Sequence, residues 1–218
     1  MTTQEDPGCR LYLVTPGGLA SEPAVTAFAR DLSDALGAGE VAAVLLRTEG
    51  LDDLAAKHAA ATLGPIAQAR DVAFLVEDRP RIAEAAGADG VHLSAPGGSI
   101  AEVRALVGPE AIVGVACGSS RHRALESAEG GADYVAFAGP REEVEDLLSW
   151  WQAAMTPPCV ALGDPEADGD FGPDFETAAR LARAGADFLA AGEAFWRFPG
   201  GPAAAVAILL ERLVQPKA

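Results

Sequence analysis

The sequence contains few basic residues. Lysine and arginine account for 16 of its 218 residues, whereas aspartate and glutamate account for 32, so the formal net charge at pH 7 is −16. Long-range repulsion from such a charge opposes association with nucleic acid and with anionic membrane surfaces, and we expect neither as a partner. An anionic ligand therefore requires a local basic pocket.

Cysteines and long apolar runs are also scarce. Cys9, Cys117 and Cys159 are odd in number and lack metal-ligand spacing, which is typical of reduced thiols rather than of a disulfide framework. No window approaches the roughly 20 uninterrupted apolar residues of a membrane span, and the N-terminus has no basic leader before an apolar stretch. We therefore expect a cytoplasmic protein.

The remaining composition is that of a folded globular protein, with 50% hydrophobic and 22% charged residues. A chain of 218 residues buries a core large enough to fold without disulfide or metal support. We expect one domain over residues 1–218, in which residues 1–9 form a flexible N-terminal tail.

One short phrase recurs three times along the chain. It reads A-G-A-D-G-V at 86–91, G-G-A-D-Y-V at 130–135 and A-G-A-D-F-L at 184–189. Each copy follows a stretch with helical periodicity, and its glycine suits the left-handed position that ends a helix. A short apolar strand follows each copy, so the repeated unit is a helix followed by a strand.

Hydrophobic periodicity along the whole chain predicts eight strands and eight helices in alternation. The predicted strands lie near 10–15, 41–47, 72–77, 90–93, 112–116, 134–138, 159–162 and 188–191. The predicted helices cover 22–36, 51–69, 80–86, 100–107, 120–129, 142–154, 175–184 and 202–214.

Eight alternating units of this kind predict an α/β fold, a single (β/α)8 TIM barrel, because parallel strands need crossover connections and eight such units close into a barrel. The alternative is an open doubly wound sheet. That fold favours a G-x-G-x-x-G turn after the first strand, and T-P-G-G at 15–18 does not supply it.

Active sites of such barrels lie at the carboxyl ends of the strands, so the candidate residues are those that end each predicted strand. They are Thr15, Arg47, Glu77, Asp78, Arg79, His92, Ser94, Cys117, Ser119, Gly139, Gly163, Gly192 and Glu193.

The charged candidates each have two interpretations. Arg47 suits a bidentate grip on phosphate or carboxylate, or forms a rim salt bridge with Glu77 or Asp78. Glu77 and Asp78 are carboxylates able to hold a divalent metal ion, although Asp78 also suits an N-cap position of the following helix.

The histidines and the fifth-strand cysteine are the remaining reactive candidates. Strand alternation places His92 and Ser94 on one face and Val91 on the other; a lone strand histidine is more often structural than catalytic. Cys117 borders a turn that opens a helix, but no partner base is identifiable. His122 lies in the first turn of that helix, where it is either solvated or catalytic.

An acidic segment at 164–174 carries five acids in eleven residues. Its spacing matches an EF-hand loop at the first positions but fails at the twelfth. A solvated acidic loop is the interpretation we favour, with metal binding as the alternative.

At the same strand ends the sequence resembles the superfamily of thiamine-phosphate synthase and thiazole tautomerase. The similar segments are L-Y-L-V-T at 11–15, L-L-R at 45–47, V-E-D-R at 76–79, A-A-G-A-D-G-V-H-L at 85–93, I-V-G-V at 112–115 and G-A-D-Y-V-A-F at 131–137. They extend over nearly the whole chain in register.

The resemblance implies a transferase that joins hydroxymethylpyrimidine diphosphate to thiazole phosphate with loss of diphosphate. For a synthase we expect Arg47, Asp78 and Arg79 to act on the diphosphate, with Mg²⁺ held by Asp78 and by Glu77 in place of the lost second aspartate. His92 and His122 are the catalytic candidates for proton transfer in an altered enzyme of the same fold. The other strand-end candidates are then substrate-binding residues, and a homodimer is expected because family members commonly pair.

The chain also departs from the family pattern. The family motif Q-L-R-E-K becomes L-L-R-T-E at 45–49, and S-A-P-G at 94–97 replaces the segment that carries a second metal aspartate. The P-T-x-T-K phosphate loop after the sixth strand is missing. Three functions stay open on these grounds: a divergent synthase, an altered enzyme for another phosphorylated heterocycle, such as a tautomerase, and a noncatalytic barrel that binds a metabolite or a protein.

Overall fold

A computed structural model describes residues 8–94, 99–163 and 175–213. Its eight strands pair in sequence order, every pair is parallel, and the first strand pairs with the last, so the sheet is a closed barrel. The predicted single TIM barrel is confirmed.

The observed elements lie within two residues of the predicted ones. The strands are β1 Arg10–Val14, β2 Val41–Leu46, β3 Ala73–Glu77, β4 Gly90–Leu93, β5 Ile112–Gly118, β6 Tyr134–Phe137, β7 Cys159–Ala161 and β8 Phe188–Ala191. The helices are α1 Glu22–Gly37, α2 Asp53–Gln68, α3 Pro80–Ala86, α4 Ile100–Val107, α5 Arg121–Glu129, α6 Arg141–Ala154, α7 Phe175–Arg183, α8 Glu193–Trp196 and α9 Gly201–Leu213.

Among the described elements, the short helix α8 was not predicted, because four residues are too few to show a helical period. It places the Trp196 indole so that its Nε1 donates to the carbonyl of Val14 at 2.7 Å. The helix therefore ties the end of the last strand to the end of the first.

The core has two layers, as strand alternation requires. The larger layer lies between the strands and the surrounding helices and includes Leu11, Leu13 and Val91. The smaller layer fills the barrel interior and includes Tyr12, Leu75 and several alanines. The small alanine side chains of the interior layer leave room for the rings of Tyr12 and Tyr134.

The recurring G-A-D phrase has a structural explanation. In each copy the aspartate accepts a hydrogen bond from the backbone N–H of the first or second residue of the preceding strand: Asp89 from Phe74 at 2.7 Å, Asp133 from Val113 at 2.7 Å and Asp187 from Cys159 at 2.8 Å. Each aspartate N–H donates back to the carbonyl of the same residue. The phrase therefore clamps adjacent strands together at their amino ends.

A side-chain donor reinforces each clamp. Gln68 donates to Asp89 at 3.1 Å, Arg104 donates to Asp133 at 2.8 Å, and Gln152 donates to Asp187 at 2.9 Å. These contacts lie on the face opposite the carboxyl ends of the strands, where barrel residues serve stability.

The predicted tail begins to fold before its expected end. Cys9 is buried in the core with 7% exposure, whereas residues 1–7 lie outside the described residues. Cys9, Cys117 and Cys159 are thiols rather than disulfides, and all three are buried. Within the described residues, no helix combines the length and apolar character that a membrane crossing requires.

Candidate active site

A cavity of about 530 Å³ opens at the carboxyl ends of the strands. All eight strand ends contribute to its wall. Its polar and charged lining side chains are Arg47, Glu49, Glu77, His92, Ser94, Arg123 and Glu193. We refer to it as the mouth cavity.

Arg47 is held in the mouth cavity by its backbone. Its N–H donates to the hydroxyl of Thr15 at 3.0 Å, and Thr15 is fully buried. Its guanidinium forms no hydrogen bond or ion pair with another described residue, so the rim salt bridge considered above is absent there. Thr15 lies outside the lining, which gives it a positioning role rather than the predicted substrate contact.

Glu77 ends β3 next to Arg47. Its Oε2 accepts from the Thr48 backbone N–H at 2.9 Å, and the Thr48 hydroxyl donates to the Glu77 carbonyl at 3.0 Å. Burial raises the pKa of the Glu77 carboxyl, while the Thr48 hydrogen bond and the Arg47 charge oppose that rise. The ends of β2 and β3 are thus locked together with a carboxylate and a guanidinium exposed to one cavity.

Asp78 adopts a left-handed backbone conformation with φ of 48°, a conformation that side-chain-bearing residues adopt mainly at functional or turn positions. Its Oδ1 accepts from the Ser94 N–H at 2.8 Å, and its Oδ2 accepts from the Ser94 hydroxyl. The N-cap of α3 is Arg79, without a side-chain capping bond. The capping interpretation of Asp78 is therefore wrong, because Ser94 engages its carboxylate instead.

A second cavity, of about 750 Å³, lies beside the mouth cavity and shares four lining residues with it: Arg47, Glu49, Glu77 and Ser94. Asp78 and Arg79 line this second cavity. The Arg79 guanidinium pairs with Asp53 and donates to the Leu51 carbonyl. Those bonds direct its charge toward the start of α2 and away from the mouth cavity.

His92 occupies the barrel interior below the mouth cavity, on the face opposite Val91, as alternation predicts. Its Nδ1 is 2.8 Å from the Tyr134 hydroxyl, which is 2.8 Å from the Tyr12 hydroxyl. Burial lowers the pKa of His92 to about 4, so the ring is neutral at pH 7. His92 was predicted as a site residue, but its contact with Tyr134 and Tyr12 was not. These residues lie on β4, β6 and β1, which are not neighbours in the sheet.

The structure separates several other predicted residues from the mouth cavity. Cys117 is buried, its thiol donates to the Val115 carbonyl at 3.5 Å, and burial raises its pKa. His122 is solvent-exposed and lies 3.3 Å from Glu126 one turn along α5. Ser119 and Gly139 also lie outside the lining.

The last strand ends do reach the cavity. Gly163, Gly192 and Glu193 are all in its wall. The Glu193 carboxylate accepts from the Gly17 N–H at 3.1 Å and pairs with Arg197. It therefore closes the rim between β8 and β1 and adds negative charge to it.

Two charged side chains in the described lining, Glu49 and Arg123, were not among the predicted site residues. Ser120 caps α5 by accepting from the Arg123 N–H at 3.2 Å, which places Arg123 in the first helical turn. First-turn residues of barrel helices adjoin the carboxyl ends of the strands. That position, three residues after a capping serine, is the signal that identifies Arg123.

Among the described residues, no three or more His, Cys, Asp or Glu side chains cluster as a metal site. A Mg²⁺ site that relies on one or two carboxylates and on substrate phosphates does not need such a cluster. The acidic segment 164–174, with its calcium alternative, lies outside the described residues.

A closed parallel barrel with charged side chains gathered at its carboxyl rim defines a TIM-barrel protein of the enzymatic type. The chain belongs to the thiamine monophosphate synthase family, whose sequence model matches residues 11–195.

Two curated relatives support this membership over nearly their whole length. A thiamine-phosphate synthase from Rhodospirillum centenum is 47% identical over 208 residues, covering 91% of this chain and 95% of its own. A thiamine-phosphate synthase from Hyphomonas neptunium is 40% identical over 218 residues, covering 94% of each. The solved thiamine phosphate pyrophosphorylase from Pyrococcus furiosus shares the fold, with a TM-score of 0.76, 23% identity and coverage of 94% and 95%.

Proposed function

We propose that this chain joins hydroxymethylpyrimidine diphosphate to thiazole phosphate in the mouth cavity, giving thiamine phosphate and diphosphate. The observation that carries the proposal is the Arg47 guanidinium, without a hydrogen bond to any described side chain, in the same cavity wall as Glu77. Family membership supplies the reaction class.

In the proposed reaction the bond between the pyrimidine methylene carbon and the diphosphate oxygen breaks, and its electron pair leaves on that oxygen. The lone pair of the thiazole nitrogen then forms the new carbon–nitrogen bond. Charge develops on the departing diphosphate, so a fixed cation beside it lowers the barrier. Arg47 is suited to this role because its planar guanidinium binds two phosphate oxygens at once.

Asp78 and Glu77 are the residues that would hold Mg²⁺. Each Asp78 oxygen accepts one hydrogen bond from Ser94 and keeps a lone pair available. When bound by these carboxylates, Mg²⁺ would neutralise part of the charge on the diphosphate. The donor set at the end of β3 therefore fits the ion.

The proposed site is a divergent form of the family's site. Of the charged side chains that line the mouth cavity among the described residues, two are arginines and three are glutamates, namely Glu49, Glu77 and Glu193. An acidic rim opposes the approach of phosphates. We expect slower turnover than in the Rhodospirillum centenum relative under the same conditions.

The test is to incubate the purified protein with both phosphorylated substrates and Mg²⁺ and to measure thiamine phosphate. Arg47→Gln should lower kcat/KM by about 10²- to 10³-fold, since it removes one charge-stabilising donor. Arg81→Gln, an exposed arginine on α3, is the matched control and should retain the wild-type rate. No product from wild-type protein, while a known synthase is active in parallel, would refute the proposal.

A further inference from the structure

We propose that Tyr134 is a positioning residue that fixes the neutral His92 ring with its proton on Nε2, so that the ring presents a hydrogen-bond donor to the mouth cavity. The inference rests on the proposed function only for what His92 then binds. The position of the proton is a property of the free protein.

Three side chains of the barrel interior form a chain of hydrogen bonds. The Tyr12 hydroxyl is 2.8 Å from the Tyr134 hydroxyl, which is 2.8 Å from His92 Nδ1. All three residues are buried. Among the described residues, neither hydroxyl has a further hydrogen-bond partner. The hydroxyl hydrogens must therefore be arranged among these three atoms.

Gly114 makes the contact between His92 and Tyr134 possible. It lies on β5 between their two strands, in register with His92 of β4 and with Tyr134 of β6. A Cβ atom at this position would overlap the Tyr134 ring and hydroxyl. Because glycine leaves that space empty, the Tyr134 side chain crosses β5 and stacks near the His92 ring, with the ring centroids 5.8 Å apart.

One arrangement of the hydrogens satisfies every donor in the chain. Tyr12 donates to Tyr134, Tyr134 donates to Nδ1, and the ring proton of His92 is on Nε2. If Nδ1 carries a proton instead, in either the neutral or the charged ring, it donates to Tyr134, and one hydroxyl hydrogen then lacks an acceptor among the described residues. A buried donor without an acceptor is unfavourable. The hydrogen bonds therefore select the Nε2–H form.

A second interior cavity, of about 210 Å³, lies at the amino ends of the strands and is lined by both tyrosines. Its other described lining residues are apolar except Arg10, whose guanidinium lies over the Phe188 ring. A buried water needs about two to four polar partners. The cavity is therefore a poor site for a water that would accept the hydrogen of Tyr12.

The opposite nitrogen of the His92 ring reaches the mouth cavity. His92 lines that cavity, and its Nε2 has accessible surface and no hydrogen-bond partner among the described residues. The proton on Nε2 is therefore available to a ligand. The substrates of the proposed reaction carry acceptors, namely phosphate oxygens and unprotonated ring nitrogens, and we expect Nε2–H to donate to one of them.

The test is nuclear magnetic resonance at pH 7.5, without ligand, of protein labelled with ¹⁵N in its histidine rings. The chain has three histidines, so the signals that disappear in His92→Gln belong to His92. Protonated and unprotonated ring nitrogens have well-separated ¹⁵N shifts. In wild type we expect a protonated Nε2 and an unprotonated Nδ1, with at least about a tenfold excess over the other neutral form.

Tyr134→Phe removes the donor to Nδ1 and keeps the aromatic ring. We expect the two ring-nitrogen shifts of His92 to move toward each other, because the Nδ1–H form becomes populated. Tyr12→Phe is the matched control. It also removes one interior hydroxyl, but Tyr134 still donates to Nδ1, so the His92 shifts should equal those of wild type. A thermal melt confirms that each variant is folded, and the wild-type spectrum tests the proton position even if Tyr134→Phe is not.

The donor role is measured by adding hydroxymethylpyrimidine diphosphate or thiazole phosphate, each alone, to the labelled wild-type protein. We expect the Nε2–H signal of His92 to shift with at least one of them. The ligand that shifts it is the substrate that His92 contacts.

A wild-type His92 with its proton on Nδ1 overturns the positioning role of Tyr134. So do unchanged His92 shifts in Tyr134→Phe, or equal changes in Tyr134→Phe and Tyr12→Phe. An Nε2–H signal that shifts with neither ligand overturns the donor role of His92. The proposed function fails separately, by absence of product from wild-type protein, because the proton position is measured without substrate.

Discussion

The three aspartate clamps make a quantitative prediction about stability. Replacing Asp187 with alanine removes the acceptor for the Cys159 N–H at 2.8 Å and for Gln152 at 2.9 Å. Cys159 is fully buried, so its N–H is left without a partner. Hydrogen bonds to charged groups contribute about 1.5–3 kcal/mol each, and an unsatisfied buried donor costs about 1–3 kcal/mol. We expect Asp187→Ala to lower the free energy of unfolding by about 3 kcal/mol.

The clamp formed by Asp133 is more exposed than the clamp formed by Asp187. The Asp133 side chain has 46% relative exposure, so water replaces part of what is lost, and we expect Asp133→Ala to cost about 1–2 kcal/mol. Asp31→Ala on the exposed face of α1 removes the same charge without a clamp. It should change stability by less than about 0.5 kcal/mol.

Urea unfolding followed by tryptophan fluorescence measures these differences. The clamps lie at the amino ends of the strands, away from the mouth cavity, so KM should stay at its wild-type value in all three variants. A stabilising role for the clamps is excluded if Asp187→Ala unfolds at the same urea concentration as Asp31→Ala. The role of burial is excluded if Asp133→Ala is the more destabilising of the two clamp variants.

Two further predictions concern the barrel interior. The pKa of His92 is about 4 in the folded protein, against an ordinary value of 6.5. Its contribution to stability is therefore complete above pH 6.5 and is lost as the pH falls toward 4, and at pH 5 the loss is about 2 kcal/mol. His92→Gln should remove this component, which urea unfolding at pH 7.5 and 5.0 measures, and an identical pH dependence in both proteins would contradict it. In Gly114→Ala the added methyl group overlaps the Tyr134 ring, so we expect a loss of about 3 kcal/mol; Gly37→Ala, which meets nothing within 4 Å, is the control, and equal thermal midpoints would exclude the overlap.

Much of the barrel could be predicted from local sequence patterns. Each strand is a short apolar run and each helix has a clear period, so element order and the number eight are readable from the chain. Boundaries moved by a residue or two because hydrogen bonds, not hydrophobicity, end a strand. For instance, β5 continues to Gly118, beyond its predicted end, because Gly118 pairs with Phe137 of β6.

The site was only partly predictable because side-chain direction depends on contacts distant in sequence. Arg47 and Glu77 line the mouth cavity as expected of strand-end charges. Arg79, two positions after Glu77, is directed to Asp53 instead. Nothing near Arg79 in the sequence marks Asp53 as its partner, 26 residues away.

Arg123 lines the mouth cavity although it was not among the predicted site residues. It sits beside His122, the residue that the sequence reading selected, yet on a helix these two side chains point about 100° apart, since one turn takes 3.6 residues. His122 faces solvent and Arg123 faces the cavity. The helix had to be placed against the barrel before either side could be assigned.

The proposed function requires the mouth cavity to hold both phosphorylated substrates at once. The most direct measurement is a crystal structure of the protein with thiamine phosphate, diphosphate and Mg²⁺ bound. We expect diphosphate against Arg47 with the metal at Asp78, and thiamine phosphate in the same cavity. Thiamine phosphate bound outside the mouth cavity, or a mouth cavity without either ligand at saturating concentration, would contradict it.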